Sequence, residues 1–288
     1  MEPIQAKSLE MAQYFVAFCQ KHNLLCYLCG GGAIGALRHQ GFIPWDDDLD
    51  FFMPREDYER LAELWPKEAD SRYFLSRSHE GYVDRNLFIT IRDRQTTCLK
   101  PYQADLDLPH GLALDVLPLD YAPASAWKRK TQKVWALIYS LFCAQTVPEK
   151  HGGLLAWGSR VLLGLVPSSK LRYKIWSLAH KKMTKITRQE AAYRIELCSG
   201  PYYMSKLYPI EAFDQAVFKP FEGTEMPIPA GYDAYLSEAF GDYMTPPPSQ
   251  NQKPHHDALL LDLERPYTDY DLKTGQLKKG ELSNLAID

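Results

Sequence analysis

Four aspartates stand within five residues and are followed directly by an apolar run. The segment from Trp45 to Pro54 reads WDDDLDFFMP. A strand places alternate side chains on one face, so Asp48 and Asp50 are predicted to project together while Leu49 points into the core. Two carboxylates at the end of a buried strand repel each other strongly unless a cation lies between them. The pattern therefore predicts a metal site that uses Asp48 and Asp50.

A glycine cluster, Gly30, Gly31 and Gly32, precedes these acids. It follows an apolar run over 24–29 that predicts a short buried strand, and it leads into a short helix predicted over 33–39. Because glycine has no Cβ, its backbone amide can come close to a bulky anion such as phosphate. Taken singly, the glycines are typical of a turn and the aspartates of a solvated loop. Their order, with an apolar strand on each side, favours a site for a metal-bound nucleotide.

A further carboxylate, Asp115, lies inside an apolar strand predicted over 111–117, which Pro118 is expected to end. A lone carboxylate in such a strand costs several kcal/mol unless it is paired or bound to a metal ion. We therefore expect Asp115 to join the aspartate pair in space as the third acid of the site. The alternative is an ion pair between Asp115 and Arg92 or Arg94.

Composition places the chain among ordinary globular proteins, with 45% hydrophobic and 24% charged residues. Its length allows one large domain or two small ones. The first residues lack a basic start and an apolar stretch, so we expect no secretory signal and a cytoplasmic location. The six cysteines stand mostly among apolar neighbours, which favours buried thiols over a zinc or redox site.

Charge is distributed unevenly along the chain. Residues 121–190 contain 13 Lys or Arg and two acids, a net charge of +11, whereas the whole chain carries −3. This basic segment is predicted to be helical, and its apolar stretch over 154–166 is too short to span a bilayer. Two interpretations stay open, an insert with a solvated basic face or an element that binds an anionic membrane surface or the acceptor. No helix-turn-helix, zinc or aromatic-platform pattern supports nucleic acid as a partner.

The residues from Gly30 through the WDDDLD run to Asp50 resemble the signature of the LicD family of phosphotransferases that use donors linked to cytidine diphosphate (CDP). Fukutin and fukutin-related protein are animal relatives of that family. The similarity extends to GLALDVLPLD over 111–120 and to the run from Tyr235 to Pro247, which contains FGDYMTPP. One position departs from the family pattern, because the usual Ser or Thr after the glycine pair is Gly32 here.

The resemblance implies an α/β (α+β) fold, with a nucleotidyltransferase-type mixed sheet flanked by helices and a helical insert. Residues 1–120 and 191–288 would form the catalytic core, and residues 121–190 the basic insert. It also implies transfer of a phospho-alcohol, commonly phosphocholine, from a CDP-linked donor to a glycan hydroxyl, with release of CMP. The glycan would be a teichoic acid, lipopolysaccharide or capsule precursor, free or lipid-linked.

Roles for individual residues follow from the motifs and the resemblance together. Asp48, Asp50 and Asp115 are predicted to hold Mg²⁺, or Mn²⁺ as second choice, and to be catalytic. Arg38 is predicted to neutralise the donor pyrophosphate, and Trp45 to cap a choline ammonium or to wedge the loop. The predicted donor-binding residues are Gly30, Gly31, Gly32, Arg38, Trp45, His255 and His256.

Two other functions compete with this prediction. A nucleotidyltransferase of the same fold would use a nucleoside triphosphate and release pyrophosphate. A non-catalytic protein that binds glycan or membrane would keep only a vestigial site, although unpaired buried acids are costly to retain. Ribitol phosphate and glycerol phosphate stay open beside phosphocholine as the transferred group. We expect the chain to work in the cytoplasm, peripherally at the inner face of the cell membrane.

Overall fold

The computed structural model describes residues 1–146, 153–252 and 258–278. The helices are α1 (Pro3–Lys21), α2 (Gly30–Arg38), α3 (Arg55–Glu68), α4 (Ala126–Ala144), α5 (Gly153–Leu165), α6 (Ser169–Met183) and α7 (Tyr232–Phe240). The strands are β1 (Tyr27–Leu28), β2 (Asp50–Pro54), β3 (Tyr73–Ser76), β4 (Ile89–Asp93), β5 (Thr97–Leu99), β6 (Ala113–Pro123), β7 (Ala191–Glu196), β8 (Ala216–Phe221), β9 (Thr224–Pro229), β10 (Leu260–Asp262), β11 (Tyr270–Asp271) and β12 (Gln276–Leu277).

A six-stranded mixed sheet forms the centre of the molecule. Its strand order is β1-β2-β6-β4-β3, and β7 pairs with the distal half of β6. Strands β2 and β6 run parallel, and the other neighbouring pairs in this sheet are antiparallel. A parallel pair requires a long crossover, which α3, β3, β4 and β5 supply here. The predicted α/β fold with a mixed sheet and flanking helices is confirmed.

Helix α1 covers the sheet through an apolar face that its sequence period predicts. Phe15 of α1 meets Phe51 of β2 edge-on at a centroid distance of 4.8 Å. Leu61 and Trp65 of α3 are buried in the same core. Strand β2 has apolar, buried residues on both faces from Phe51 onward, as expected for a central strand with a parallel neighbour.

Among the described residues, three α-helices lie between β6 and β7, where the basic segment was predicted to be helical. Helices α4 and α6 pack against each other and against β7, with Phe142, Trp176, Met183 and Ile195 buried in a second apolar cluster. Strand β6 continues to Pro123, so residues 121–123 still belong to the sheet. The division at residues 121 and 190 stays a prediction.

Pro118 does not end its strand, contrary to the expectation from the sequence. Strand β6 changes its neighbour at this point, because β4 pairs with it up to Val116 and β7 pairs with it from Leu119. Proline has no N–H to donate. Pro118 lies between the residues of β6 that pair with β4 and those that pair with β7. Its missing N–H therefore costs the sheet little hydrogen bonding on that side of the strand.

The glycine cluster also differs from its predicted form. Gly30, Gly31 and Gly32 form the first turn of α2 and not a loop before it, and the strand before them is reduced to Tyr27 and Leu28. Helix α2 can begin at Gly30 because this residue has φ +51°, a conformation that side-chain-bearing residues adopt only with strain. The six cysteines are unpaired and buried, as expected.

A buried ion pair joins α3 to β6. The Arg55 guanidinium donates two hydrogen bonds of 2.8 Å to Asp120, whose side chain is 2% exposed. Arg55 also contacts Glu59, which pairs with Arg77 of the segment after β3. The network therefore ties the first helix after the aspartate strand to the strand that carries Asp115.

We expect Asp120→Ala to lower the free energy of unfolding by about 3–5 kcal/mol, because it leaves the Arg55 charge buried without its partner. Urea denaturation measures this change. The matched control is Asp214→Ala, which breaks the exposed pair between Arg188 and Asp214 and should cost less than about 1 kcal/mol. Equal losses in the two variants would contradict the structural role of the buried pair.

Candidate active site

Asp50 and Asp115 stand side by side on neighbouring strands. They are Cα partners in the parallel register of β2 with β6, in which Phe51 pairs with Val116 and Phe52 with Leu117. Partnered residues in adjacent strands present their side chains to the same face of the sheet. The structure therefore brings together two acids that lie 65 residues apart in the chain.

The segment that carries the other aspartates precedes β2 and is not part of it. Asp46, Asp47 and Asp48 each offer a carboxylate oxygen, and these oxygens lie within 4.8 Å of one another. Helix α1 fixes this segment from behind, because Gln5 donates to the Asp46 carbonyl at 2.7 Å and Ser8 donates to the Asp47 carbonyl at 3.1 Å. Gln5 and Ser8 are both buried, so the packing of α1 in the core fixes the backbone that carries the acids.

Clustering of these acids changes their proton affinities. Burial raises the pKa of Asp50 well above its ordinary value, and the charges of Asp48 and Asp115 raise it further. The pKa of Asp46 rises to about 7, first through burial and then through Asp48 and Asp47. Because each carboxylate makes the ionisation of the others less favourable, the metal-free cluster stores electrostatic repulsion that a divalent cation would relieve.

The cluster fits a divalent cation by the chemistry of its donors. Carboxylate oxygens are the ligands that Mg²⁺ and Mn²⁺ prefer. Asp115 Oδ1 is a buried oxygen without a hydrogen-bond partner among the residues that the structure describes, and such an atom is costly to leave unpaired. Lys100 lies near enough for Asp115 to be the main cause of its raised pKa. The ammonium group of Lys100 therefore already balances part of the negative charge of Asp115.

The amino end of α2 lies against the acid cluster. A Cβ at Gly31 would run into the Asp46 carboxylate, so a side chain here would displace that acid from its position. The Gly30 amide donates to the Tyr235 hydroxyl of α7 at 3.0 Å. An α-helix leaves its first amides without intrahelical acceptors, and its dipole makes this end positive. The amides of Gly31 and Gly32 thus stand at a helix end suited to phosphate.

Other predicted donor residues are not brought to this place. The Arg38 guanidinium, at the far end of α2, donates to the Tyr243 carbonyl at 3.0 Å. A nine-residue helix separates it from Gly30 by about 12 Å along the backbone, and its predicted role at the pyrophosphate stays a prediction. Trp45 is half-buried and packs against the core, and its predicted role in donor binding stays a prediction. His255 and His256 lie outside the described residues.

Sequence reasoning missed five contributors to the site: Asp46, Lys100, Gln5, Ser8 and Tyr235. Strand alternation selected Asp48 and Asp50, yet Asp48 precedes the strand, so alternation does not decide which neighbouring acids face the site. The run of three aspartates itself was the available signal for Asp46. Lys100, Gln5 and Tyr235 reach the site through tertiary packing, and no local pattern marks them. The alternative partners of Asp115 are engaged elsewhere, since Arg92 donates to Gln103 and Arg94 stacks on Phe74.

Part of the chain that forms this site matches a known protein family. Residues 23–104 match the family model described as "LicD/FKTN/FKRP, nucleotidyltransferase domain". That segment contains α2, the aspartate run, β2 and Lys100. The resemblance to the LicD family that the motifs predict is therefore confirmed.

Individual relatives extend the match beyond this domain. The chain is 28% identical over 271 residues to the lipopolysaccharide cholinephosphotransferase LicD of Haemophilus influenzae, covering 88% of this chain and 94% of the relative. It is 27% identical over 133 residues to the human ribitol 5-phosphate transferase FKRP, covering 39% of this chain and 27% of that protein. Both relatives are named as transferases of a phosphorylated alcohol.

We expect the metal-free protein to become less stable as pH rises from about 5 to about 8. Folded Asp46 keeps its proton up to a pKa of about 7, whereas an unfolded aspartate loses it near pH 4. The folded state thus binds more protons in this window, and its stability falls as they leave. Melting curves in chelator at several pH values measure the slope, and Asp46→Asn should flatten it.

Added Mg²⁺ should reverse that loss at pH 8 and have little effect at pH 5, because only ionised carboxylates bind the ion. At about 100 times its dissociation constant the ion adds about 2.7 kcal/mol, which is a rise of about 5–10 °C in Tm. Glu63→Gln on the exposed side of α3 is the control and should respond as the parent does. A rise of equal size at both pH values would contradict the assignment.

Proposed function

We propose that the chain catalyses divalent-metal-dependent transfer of a phospho-alcohol from a CDP-linked donor to a hydroxyl of a glycan, releasing CMP. The observation that carries the proposal is the pairing of Asp50 with Asp115 beside the Asp46–Asp48 segment, at the positive end of α2. This arrangement offers oxygen ligands for cations and backbone amides for phosphate at one place. The transferase activities named for the two relatives support the same reaction class.

Asp50, Asp115 and Asp48 would hold the cation, with Asp46 adjoining them. When bound, Mg²⁺ or Mn²⁺ neutralises the donor phosphates and the charge that develops on the leaving group. The four acids bring more negative charge than Lys100 alone balances, so the unloaded site repels a diphosphate. Donor binding is therefore expected to depend on the loaded state of this cluster.

The chain's own groups would orient the two reactants. The amides of Gly31 and Gly32 face the donor phosphates, and Tyr235 holds the end of α2 in place through Gly30. An acceptor hydroxyl oxygen attacks the phosphorus that bears the alcohol, and the bond from that phosphorus to the CMP oxygen breaks. The hydroxyl proton passes to a carboxylate, and Asp115, the partner of Asp50 on the neighbouring strand, would accept it. Lys100 beside it would stabilise the negative charge of the reacting phosphate.

Phosphocholine is our first choice for the transferred group. The relative that matches along 88% of this chain is named a cholinephosphotransferase, whereas the ribitol 5-phosphate transferase matches along 39%. A lipopolysaccharide, teichoic acid or capsule precursor would be the acceptor. The basic segment 121–190 would hold the chain peripherally at the cytoplasmic face of an anionic membrane. Within the described residues, no helix has the length and apolar character needed to cross a membrane.

Substitution of the paired acids tests the reaction. We expect Asp50→Asn and Asp115→Asn each to lower kcat/KM by about 10³-fold or more, because each removes a metal ligand at the reacting phosphate. The assay supplies CDP-choline, CDP-ribitol, CDP-glycerol or CTP with Mg²⁺ and identifies the nucleotide released. Glu63→Gln serves as the control with unchanged turnover.

The released product separates the competing functions. CMP supports the phosphotransferase, pyrophosphate from CTP supports a nucleotidyltransferase, and no turnover with any donor supports a binding protein. Near-normal activity of either acid variant would show that the reaction occurs elsewhere in the molecule.

Liposome flotation tests the membrane part of the proposal. We expect recovery with vesicles of anionic phosphatidylglycerol to exceed recovery with neutral phosphatidylcholine, and the difference to shrink in high salt. The cause is the net charge of +11 on residues 121–190. Equal recovery with both vesicle types at low salt would remove the anionic membrane as a partner.

A further inference from the structure

An apolar groove of about 640 Å³ runs between α4, α5 and the segment 199–203 that follows β7. The side chains that line it include Leu137, Ile138, Leu141, Leu162, Pro201 and Tyr203. A groove of this volume with a mostly apolar lining is typical of sites that hold an apolar ligand. The proposed reaction with a soluble donor makes no use of this groove.

Helix α5 is unusual in its own right. Its 13 residues include one charged side chain, Arg160. Apolar side chains remain exposed on the side that does not line the groove, with Trp157 65% and Leu165 72% exposed. A helix that is apolar nearly all round is stable when it is buried in protein or in lipid. Helix α4 contacts α5, and Arg172 of α6 donates to the Leu163 carbonyl, while Trp157 and Leu165 stay exposed and available to an apolar phase.

Topology connects the groove to the acid cluster. Strand β7 runs antiparallel to β6 and ends at Glu196, which is the partner of Leu119. The chain after Glu196 therefore continues toward the end of β6 that carries Asp115. Tyr203 lines the groove, and its ring also contacts Phe240 of α7, the helix that holds Gly30 through Tyr235.

We propose that this groove holds the hydrocarbon chain of a lipid-linked glycan acceptor, so that the acceptor is presented to the acid cluster from a membrane surface. The proposal rests on the proposed function and names the acceptor class for that same site. The chain enters between α4 and α5, its phosphate group meets the basic insert, and the glycan extends past Tyr203 toward Asp50 and Asp115.

Charge favours a lipid over the other candidates for this surface. Lys128, Lys130 and Lys174 are exposed on the helices that flank α5, and such cations attract a lipid phosphate or an anionic headgroup. A second copy of this chain would bring two segments of net charge +11 together, which opposes a dimer through this face. The combination of exposed Trp157 with flanking lysines is typical of helices that lie in a membrane interface.

Two glycines of α5 provide a matched pair of variants. A Cβ added at Gly158, which lines the groove, or at Gly164, which does not, would meet nothing within 4 Å. Gly158→Trp therefore adds an indole to the groove from a Cβ position that is open, and Gly164→Trp adds the same side chain to the same helix outside it. Both changes replace glycine within a helix, so neither is expected to destabilise α5 through backbone conformation.

Titration calorimetry with dodecyl phosphate below its micellar concentration tests the groove directly. We expect the parent and Gly164→Trp to bind this probe and Gly158→Trp to bind it at least tenfold more weakly, with no binding of methyl phosphate by any of them. Absence of binding to the parent, or equal binding to all three proteins, would overturn the proposal. Binding of methyl phosphate as strong as that of dodecyl phosphate would also overturn it, since the chain would then contribute nothing.

A pair of acceptors that differ only in the lipid chain extends the test to turnover. The ratio of kcat/KM for the chain-bearing acceptor over the chain-free one should exceed ten in the parent and in Gly164→Trp, and should fall at least tenfold in Gly158→Trp. A ratio near one in the parent contradicts the proposed lipid site and does not contradict the proposed transferase activity. Binding of dodecyl phosphate that Gly158→Trp weakens, in a protein without any transferase turnover, contradicts the proposed function and still supports the lipid site.

Discussion

Repulsion among carboxylates that the fold holds together is the constraint on which the rest of the site depends. Asp50 and Asp115 cannot move apart, because their strands are hydrogen-bonded in a parallel register and both strands are central. A slip of one residue would turn Phe51 from the core and is therefore strongly opposed. The free energy of this packing keeps the acids close. Their mutual repulsion destabilises the metal-free protein, and a bound cation is expected to relieve that repulsion.

The site is assembled from distant parts of the chain. Gln5 and Ser8 of α1 fix the backbone of the aspartate segment, and Tyr235 of α7 fixes the first turn of α2. Asp115 lies outside residues 23–104, which match the LicD/FKTN/FKRP domain. That domain therefore contains α2 and most of the acids, while β6 completes the cluster. This division agrees with the similarity to the Haemophilus relative along most of the chain.

Local chemistry made part of this arrangement predictable. Four aspartates before an apolar strand, three glycines before a short helix and one acid inside a strand identified the acid cluster and the helix that adjoins it. The ends of elements were less predictable: Pro118 sits inside β6 because the strand changes neighbours there, which no local pattern reveals. Arg38 was assigned to phosphate from its proximity in sequence, yet one helix length separates it from Gly30. Lys100 reaches Asp115 only through the packing of β5, so it could not be predicted from spacing.

Anomalous diffraction from a crystal grown with Mn²⁺ and a CDP-alcohol would show whether Asp50 and Asp115 hold a metal ion together. We expect a manganese peak within about 2.5 Å of carboxylate oxygens from both residues, the range of oxygen ligation, with the donor phosphates between the metal and the first turn of α2. A fully bound donor with no metal at these two acids, or with the metal at another place in the molecule, would show that they are not the metal site.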